Sequence, residues 1–219
     1  MRGRPGFANI TADVREMEKR LRLAADYGNP YVMVDVVVSG WGVLNYIRDL
    51  AEEYGLAVHA HRAMHASFTR NPYHGISMFV LAKLYRVIGV DQLHVGAAGA
   101  GRLDVIRCAR IMREQSFTPE PEDPFHLPQD MRHIKPAMPA SSGGLHPGNL
   151  PLVIDALGPN IVLQVGGGVV GHLDGPRAGA MAVRQALDAI VKGIPLEKYA
   201  ESHRELARAL EKWGFVKPI

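Results

Sequence analysis

The chain has 219 residues, of which 47% are hydrophobic and 21% are charged, and its formal net charge is +3. This length is enough for one sizeable core, and the composition excludes a disordered tail or a coiled coil. The chain has no dense Lys/Arg block, so we expect no nucleic-acid or membrane binding. The single cysteine, Cys108, excludes an intrachain disulfide. With no apolar run long enough to cross a bilayer, we expect a soluble cytoplasmic protein.

Short apolar runs alternate with longer amphipathic stretches. The predicted strands are residues 7–10, 31–38, 56–60, 92–95, 135–140 and 161–165. The predicted helices are a first one between Asp13 and Gly28, then residues 41–54, 76–88, 103–114, 149–157 and 176–192, with 196–213 as a C-terminal extension. This alternation predicts parallel strands joined by crossover helices, which is an α/β architecture.

One segment, residues 116–133, interrupts the alternation. It contains four prolines and several acidic residues, so we interpret it as a surface excursion between two strand–helix units. Four charged or polar residues elsewhere are interpreted as ordinary surface or interface residues: Arg70, His74, Arg86 and Arg177.

Polar and glycine residues collect where the predicted strands end. They are His59, His61 and Arg62 after the third strand, His94 at the end of the fourth, Ser142-Gly143-Gly144 after the fifth and Gly166-Gly167-Gly168 after the sixth. Several strand ends that carry such residues are typical of the active face of a (β/α)8 barrel. An open doubly wound sheet would concentrate its ligand contacts at one switch point.

The two glycine loops favour an anion site, because exposed backbone N–H groups without a Cβ let a phosphate approach closely. Tight turns that need a positive φ are the alternative for either loop alone. The run Gly166–Gly171 also matches G-x-G-x-x-G, but no further strand with an acidic residue follows it. We therefore discount a nicotinamide or flavin site.

The histidines after the third strand allow two interpretations. His59 and His61 share one face of a strand and could hold a metal ion such as zinc, or they could form hydrogen bonds to substrate or to neighbouring strands. The adjacent Arg62 would repel a cation and, with His94, suits an anionic group better. Asp35 lies in a buried strand, where a structural hydrogen bond is the alternative to a functional role.

Together these motifs resemble the large subunit of ribulose-1,5-bisphosphate carboxylase/oxygenase (RuBisCO). The resemblance rests on residues 56–65, His94 with the glycine–alanine loop after it, residues 142–146 and residues 164–168. Residues 71–75 and 172–179 are most similar to archaeal form III enzymes, and the proline-rich insertion before Pro136 is similar to the methanogen branch of that group. The resemblance covers nearly the whole chain.

The resemblance implies a role for each matching residue. Arg62 and His94 would bind one phosphate of the bisphosphate substrate, with Ser142 near the sugar chain, and Gly143, Gly144, Gly166 and Gly167 would form the second phosphate site. His61 would contact substrate hydroxyls and relay protons. His59, His65 and Asp35 would support it from behind without touching substrate.

Two features depart from the family pattern. The family holds Mg²⁺ on a lysine carbamylated by CO₂ and followed by an Asp-Asp-Glu run, and neither this run nor the lysine pair around a proline occurs here. No metal ligand is therefore expected in this chain. In the loop after His94, the family's mobile lysine falls on Arg102, or on Gly101 in a shorter register, and Arg does not replace Lys conservatively.

The resemblance thus predicts part of a (β/α)8 barrel of the RuBisCO type. Residues 1–195 would supply about six of eight units, with the first two missing, and residues 196–219 would form a helical extension. We expect carboxylation of ribulose bisphosphate to 3-phosphoglycerate in AMP salvage, but no activity of this chain alone. It would need the missing N-terminal part or form a homo-oligomer. A RuBisCO-like enolase or isomerase, and a non-catalytic fragment, are the alternatives.

Overall fold

In the computed structural model, the described residues are 8–71, 73–97 and 103–215. They belong to two compact units, one comprising Met1–Val95 with Arg107–Pro139 and the other Gly96–Ile106 with Ala140–Ile219. None of the helices in the described ranges is long and apolar enough to span a membrane.

Strands and helices alternate through most of the chain. The strands are β1 (Ala8–Asn9), β2 (Tyr31–Asp35), β3 (Ala57–His61), β4 (Gln92–His94), β5 (Ser116–Phe117), β6 (Gln129–Asp130), β7 (Met138–Ser142) and β8 (Val162–Gln164). The helices are α1 (Val14–Asp26), α2 (Val36–Ser39), α3 (Trp41–Glu53), α4 (Ala66–Thr69), α5 (Met78–Ile88), α6 (Leu103–Arg113), α7 (Leu150–Leu157), α8 (Gly166–Val170), α9 (Gly175–Val191), α10 (Leu196–Ala200) and α11 (Arg204–Trp213). The predicted α/β class is confirmed.

In the first unit, β1 to β4 pair in chain order, and every pair is parallel. Helices cross over between them because their ends are encoded locally. Asp13 caps α1 by accepting the N–H groups of Arg15 and Glu16, and Gly89 ends α5 with a φ of +104°. The register aligns Asp35 with His61, and this alignment places the ends of β2 and β3 side by side.

Two predicted elements differ from the structure. The apolar run 31–38 is a strand only to Asp35, because the Ser39 hydroxyl and the Gly40 N–H close a helical turn back onto the carbonyls of Asp35 and Val36. The predicted helix 196–213 is two helices, α10 and α11. They are separated because His203, which precedes α11, has a non-helical backbone conformation.

The excursion over residues 116–133 is tied to the core more firmly than its composition indicates. Its ends form the antiparallel pair β5–β6, and the Phe117 and Met131 side chains are buried. The interpretation of Arg86 as a surface or interface residue is wrong, because only 1% of this residue is exposed. Its guanidinium lies against the end of α6 and the start of the segment that leads to β7.

The second unit contains the parallel pair β7–β8 with α7 to α11. The register aligns Ser142 with Gln164, so the segments after both strands begin at neighbouring positions. The helices pack at very short distances where glycine allows it. A Cβ on Gly179 of α9 would lie 2.1 Å from the Val169 carbonyl oxygen of α8, so this position admits only glycine without a backbone shift.

Candidate functional site

The end of β3 carries an aspartate–histidine pair. His61 Nδ1 lies 2.6 Å from Asp35 Oδ1, and Asn9 Nδ2 donates to the other carboxylate oxygen at 3.2 Å. The Thr11 hydroxyl accepts the Asp35 N–H at 2.8 Å, which holds the end of β2 in place. Because an ionised carboxylate only accepts, His61 donates from Nδ1 and keeps Nε2 for proton exchange. This arrangement suits a proton relay.

A second hydrogen-bonded chain crosses from β3 to β4. His59 Nδ1 lies 2.7 Å from Gln92 Oε1, and His59 Nε2 lies 2.8 Å from His94 Nε2. The three side chains meet because the register aligns His59 with Gln92, and because residues two apart on a strand share a face. The His94 ring also stands edge-on to His61, with centroids 4.8 Å apart.

Burial governs the protonation of these histidines. The pKa of His94 is lowered to about 3, first by desolvation and then by the neighbouring His59, His61 and Arg62. The pKa of His59 is also lowered, chiefly by desolvation. Both rings are therefore neutral near pH 7, and one proton lies between the two facing Nε2 atoms.

Arg62 and His65 lie in the turn that follows β3. The His65 N–H donates to the Arg62 carbonyl, and Met64 between them has a φ of +67°, which is unusual for a residue with a side chain. His65 Nδ1 lies 2.8 Å from the Thr69 hydroxyl. Burial, followed by the charges of Arg62 and Arg70, lowers the pKa of His65 to about 4, so it is a neutral support for the turn.

In the second unit, the glycines after β7 and β8 separate into two kinds. A Cβ built on Gly143, Gly144, Gly166 or Gly167 would meet nothing within 4 Å. Gly143 and Gly144 need their positive φ of 98° and 69°, whereas nothing in the described packing requires glycine at the other two. A Cβ on Gly168, by contrast, would lie 2.5 Å from the Leu145 carbonyl oxygen. The open space fits a group that approaches the backbone directly.

The predicted site residues thus form two sets. In the first unit, His61 contacts Asp35 and His94, and His94 also contacts His59. Arg62 and His65 lie in the turn that follows. Ser142, Gly143, Gly144, Gly166 and Gly167 follow neighbouring strands in the second unit. Arg102 lies outside the described residues. Sequence reasoning missed Gln92 and Asn9, although the position of Gln92, two residues before His94 on one strand, was a usable signal.

The described residues do not fit the family's Mg²⁺. They contain no group of three or more His, Cys, Asp or Glu side chains that could hold a metal ion, and the carboxylate nearest the histidines, Asp35, is bonded to His61 and Asn9. Both ring nitrogens of His59 form hydrogen bonds to protein atoms. The interpretation of His59 as a zinc ligand therefore has no support from the geometry.

Comparisons with known proteins identify the family to which the chain belongs. The family model "Ribulose bisphosphate carboxylase large chain, catalytic domain" matches residues 5–213. The chain is 71% identical to the ribulose bisphosphate carboxylase of Thermococcus onnurineus and 69% identical to that of Archaeoglobus fulgidus, over 97% of its own length and 49% of theirs. It therefore spans about half the length of the curated relatives it matches.

Solved structures give the same result. A crystal structure of archaeal RuBisCO, 67% identical, matches 98% of this chain with a TM-score of 0.94, and 50% of that chain is covered. The dimeric archaeal RuBisCO of Hyperthermus butylicus is 57% identical and matches 97% of this chain with a TM-score of 0.92, again over 50% of its own length. The predicted RuBisCO-type α/β fold is confirmed.

Proposed function

Because the chain belongs to the ribulose bisphosphate carboxylase large-chain family, we propose that it is a catalytic-domain portion of a form III enzyme. This enzyme adds CO₂ to ribulose 1,5-bisphosphate and cleaves the product to 3-phosphoglycerate, in the cytoplasm and in the service of AMP salvage. The observation that carries the proposal is the pair of glycine segments after β7 and β8, with open space at four glycines. This space is what a phosphate needs to reach backbone N–H groups.

Each end of the substrate has its own set of residues in this proposal. Arg62 supplies a guanidinium for one phosphate together with His94, and Ser142 binds the sugar chain near it. Gly144, Gly166 and Gly167, with Gly143 shaping the turn, supply backbone donors for the other phosphate.

Proton transfer falls to His61 in the same proposal. Asp35 orients the ring through Nδ1, and Asn9 holds the Asp35 carboxylate in place. The Nε2 atom of His61 is then the one that exchanges a proton with substrate. His59 supports His94, and His65 supports the turn that carries Arg62, without touching substrate. Arg102 takes the place of the mobile lysine that covers the substrate in the family.

The family uses Mg²⁺, which when bound would supply polarisation of the substrate oxygens. Since the described residues supply no ligand set for it, we propose that residues 1–219 alone are inactive. A further polypeptide segment would supply the carbamylated lysine, either directly or as part of a homo-oligomer. The relatives described as dimeric and octameric RuBisCO favour such an assembly.

Bisphosphate binding tests the phosphate sites directly. Calorimetry with a non-reactive analogue of ribulose bisphosphate should give binding to the chain that Gly167→Ala weakens at least tenfold, because the new Cβ occupies the space of the phosphate. Gly42→Ala is the matched control: it also lies on a helix with open space at its Cβ, but far from the glycine segments in sequence. Equal affinity of both variants, or no binding by the unmodified chain, would contradict the proposed site.

Complementation tests the reaction. The chain is mixed with the N-terminal half of the Thermococcus onnurineus relative, and fixation of labelled CO₂ is measured with ribulose bisphosphate and Mg²⁺. We expect turnover only in the mixture. Carboxylation by the 219-residue chain alone would refute the assignment of the metal ligands to another segment.

A RuBisCO-like enolase or isomerase is the second candidate, and the sequence of the loop after His94 favours it. Arg102, or Gly101, stands where the carboxylases carry the lysine that stabilises the carboxylated intermediate. In the same mixture, conversion of substrate at an equal rate with and without CO₂ would favour this candidate. A third candidate, a non-catalytic subunit, is favoured if neither the analogue nor the Arg62→Ala variant gives any binding signal.

A further inference from the structure

We propose that Gln92 is a positioning residue, whose side-chain oxygen fixes which ring nitrogens of His59 and His94 carry hydrogen. Part of its consequence rests on the proposed function, because His94 is there a ligand of the substrate phosphate. The tautomer assignment itself depends only on the hydrogen bonds of the described residues.

The first step is the contact between Gln92 and His59. An amide oxygen accepts and cannot donate, so at 2.7 Å from Gln92 Oε1 the Nδ1 atom of His59 must carry the hydrogen. A neutral imidazole has only one N–H. The Nε2 atom of His59 is therefore left with a lone pair.

The second step is the contact between the two histidines. Two facing N–H groups at 2.8 Å would repel, so exactly one of the Nε2 atoms carries the shared hydrogen. His59 Nε2 already has the lone pair, so His94 Nε2 donates. The oxygen of Gln92 thus sets the tautomer of a ring that it does not touch, through a chain of two hydrogen bonds.

The three side chains that form these two hydrogen bonds are buried, so the direction in which the hydrogens are donated is maintained. Gln92 is 9% exposed, His59 3% and His94 1%. A buried donor or acceptor that loses its partner is destabilising, and reversing these hydrogen bonds would require both of them to break together. Water cannot replace either partner without entering this space.

This tautomer determines how His94 can bind an anion. With Nε2 occupied as a donor to His59, the remaining nitrogen of a neutral His94 is an acceptor, and a phosphate dianion offers no hydrogen to it. His94 can donate from Nδ1 only as an imidazolium, and this form keeps both existing bonds intact. Phosphate binding should therefore take up about one proton per site.

The charged and titratable neighbours of His94 favour a ring that is neutral until the phosphate binds. His59, His61 and Arg62 on the β3 side disfavour a positive charge on His94, and among the described residues Asp35 on β2 favours it. Before the ligand arrives the ring is accordingly neutral. The two negative charges of a phosphate group are what would reverse the balance.

Nitrogen-15 NMR of the histidine rings tests the tautomer assignment without substrate. In the 219-residue chain at pH 7.5, we expect hydrogen on Nδ1 of His59 and on Nε2 of His94. Gln92→Met, which has a similar shape and no acceptor oxygen, should abolish the preference at both rings. Gln92→Glu, which keeps an acceptor, should restore it. His61 is the internal reference, because Asp35 sets its tautomer and neither variant should change it.

The outcomes separate this proposal from the proposed function. Hydrogen on Nε2 of His59 in the unmodified chain, or an unchanged tautomer of His94 in Gln92→Met, would overturn it. Should Gln92→Met fail to fold, Gln92→Glu decides alone, since a reversed tautomer there is equally contradictory. A chain with the expected tautomers that binds no bisphosphate refutes the proposed function and leaves this proposal standing.

Calorimetry adds the test of proton uptake. The bisphosphate analogue is titrated at pH 7.5 in buffers of different ionisation enthalpy, where its phosphates are already mostly dianions. We expect uptake of about one proton in the unmodified chain and a clear loss of uptake in Gln92→Met. Binding without any proton uptake by the unmodified chain would overturn the consequence drawn for His94.

Discussion

Replacing Arg86 by methionine is the strongest test of how the first unit is held together. Arg86 lies on α5, only 1% exposed, and burial lowers its pKa. All five N–H groups of its guanidinium are used. Their acceptors are the carbonyl oxygens of Ile111, Glu114, Ile134 and Lys135 and the side-chain oxygen of Gln115. None of these acceptors is a carboxylate, so the charge is balanced by the dipoles of four backbone carbonyls and one side-chain amide.

The expected loss follows from these bonds. A hydrogen bond to a charged group contributes about 1.5–3 kcal/mol, and a buried acceptor that loses its partner costs about 1–3 kcal/mol. We expect Arg86→Met to lower the free energy of unfolding by about 4 kcal/mol, because methionine fills most of the volume but donates nothing. At this chain length that loss corresponds to a fall in Tm of roughly 8–16 °C.

Urea unfolding followed by circular dichroism measures this loss, together with two further variants. Arg86→Lys keeps the charge with three donors instead of five, so its loss should be about half as large. Arg15→Met is the matched control on an exposed face of α1, with an expected change within about 0.5 kcal/mol. A loss below about 1 kcal/mol in Arg86→Met, similar to that of the control, would refute the role of Arg86 as an anchor.

Two further predictions concern packing and protonation. Gly179→Ala should lower the free energy of unfolding by at least about 2 kcal/mol in thermal unfolding, because its Cβ would lie 2.1 Å from a backbone oxygen. Gly42→Ala, which has open space, should raise the free energy of unfolding by up to about 1 kcal/mol. Equal effects of the two variants would contradict the packing. The folded state holds the pKa of His94 near 3, below the ordinary value of 6.5, so between these pH values the unfolded chain binds the extra proton and stability falls as the pH falls. His94→Asn should reduce that slope, measured by urea unfolding between pH 5 and pH 6.5, by up to about 1.4 kcal/mol per pH unit, and an unchanged slope would argue against a neutral buried His94.

The order of strands and helices could be predicted from the sequence because local signals carry it. Asp13 and Gly89 mark helix ends through hydrogen bonds and backbone angles that depend on nearby residues only. The turn at residues 36–39 could not be predicted from its composition. Three valines favour a strand, and the helical turn there depends on bonds back to the end of β2.

Arg86 shows why charge alone misleads. An arginine on a helix is exposed in most proteins, so its sequence context predicts a surface position. Its burial depends on five acceptors that lie 25 to 49 residues further along the chain. No local pattern encodes such a convergence, which arises only when α5, the end of α6 and the segment before β7 have packed together.

In the glycine segments of the candidate site, too, the reason for each residue cannot be read from the sequence. The run Gly166-Gly167-Gly168 is uniform in sequence, but the fold requires glycine at only one of its three positions. Gly168 is required because a Cβ would strike the Leu145 carbonyl, so its presence is explained without any ligand. Gly166 and Gly167 have open space and ordinary backbone angles, so packing among the described residues does not explain them. The argument for phosphate is therefore strongest at these two of the four open glycines, and substitutions at them separate binding from folding more cleanly than any change at Gly168.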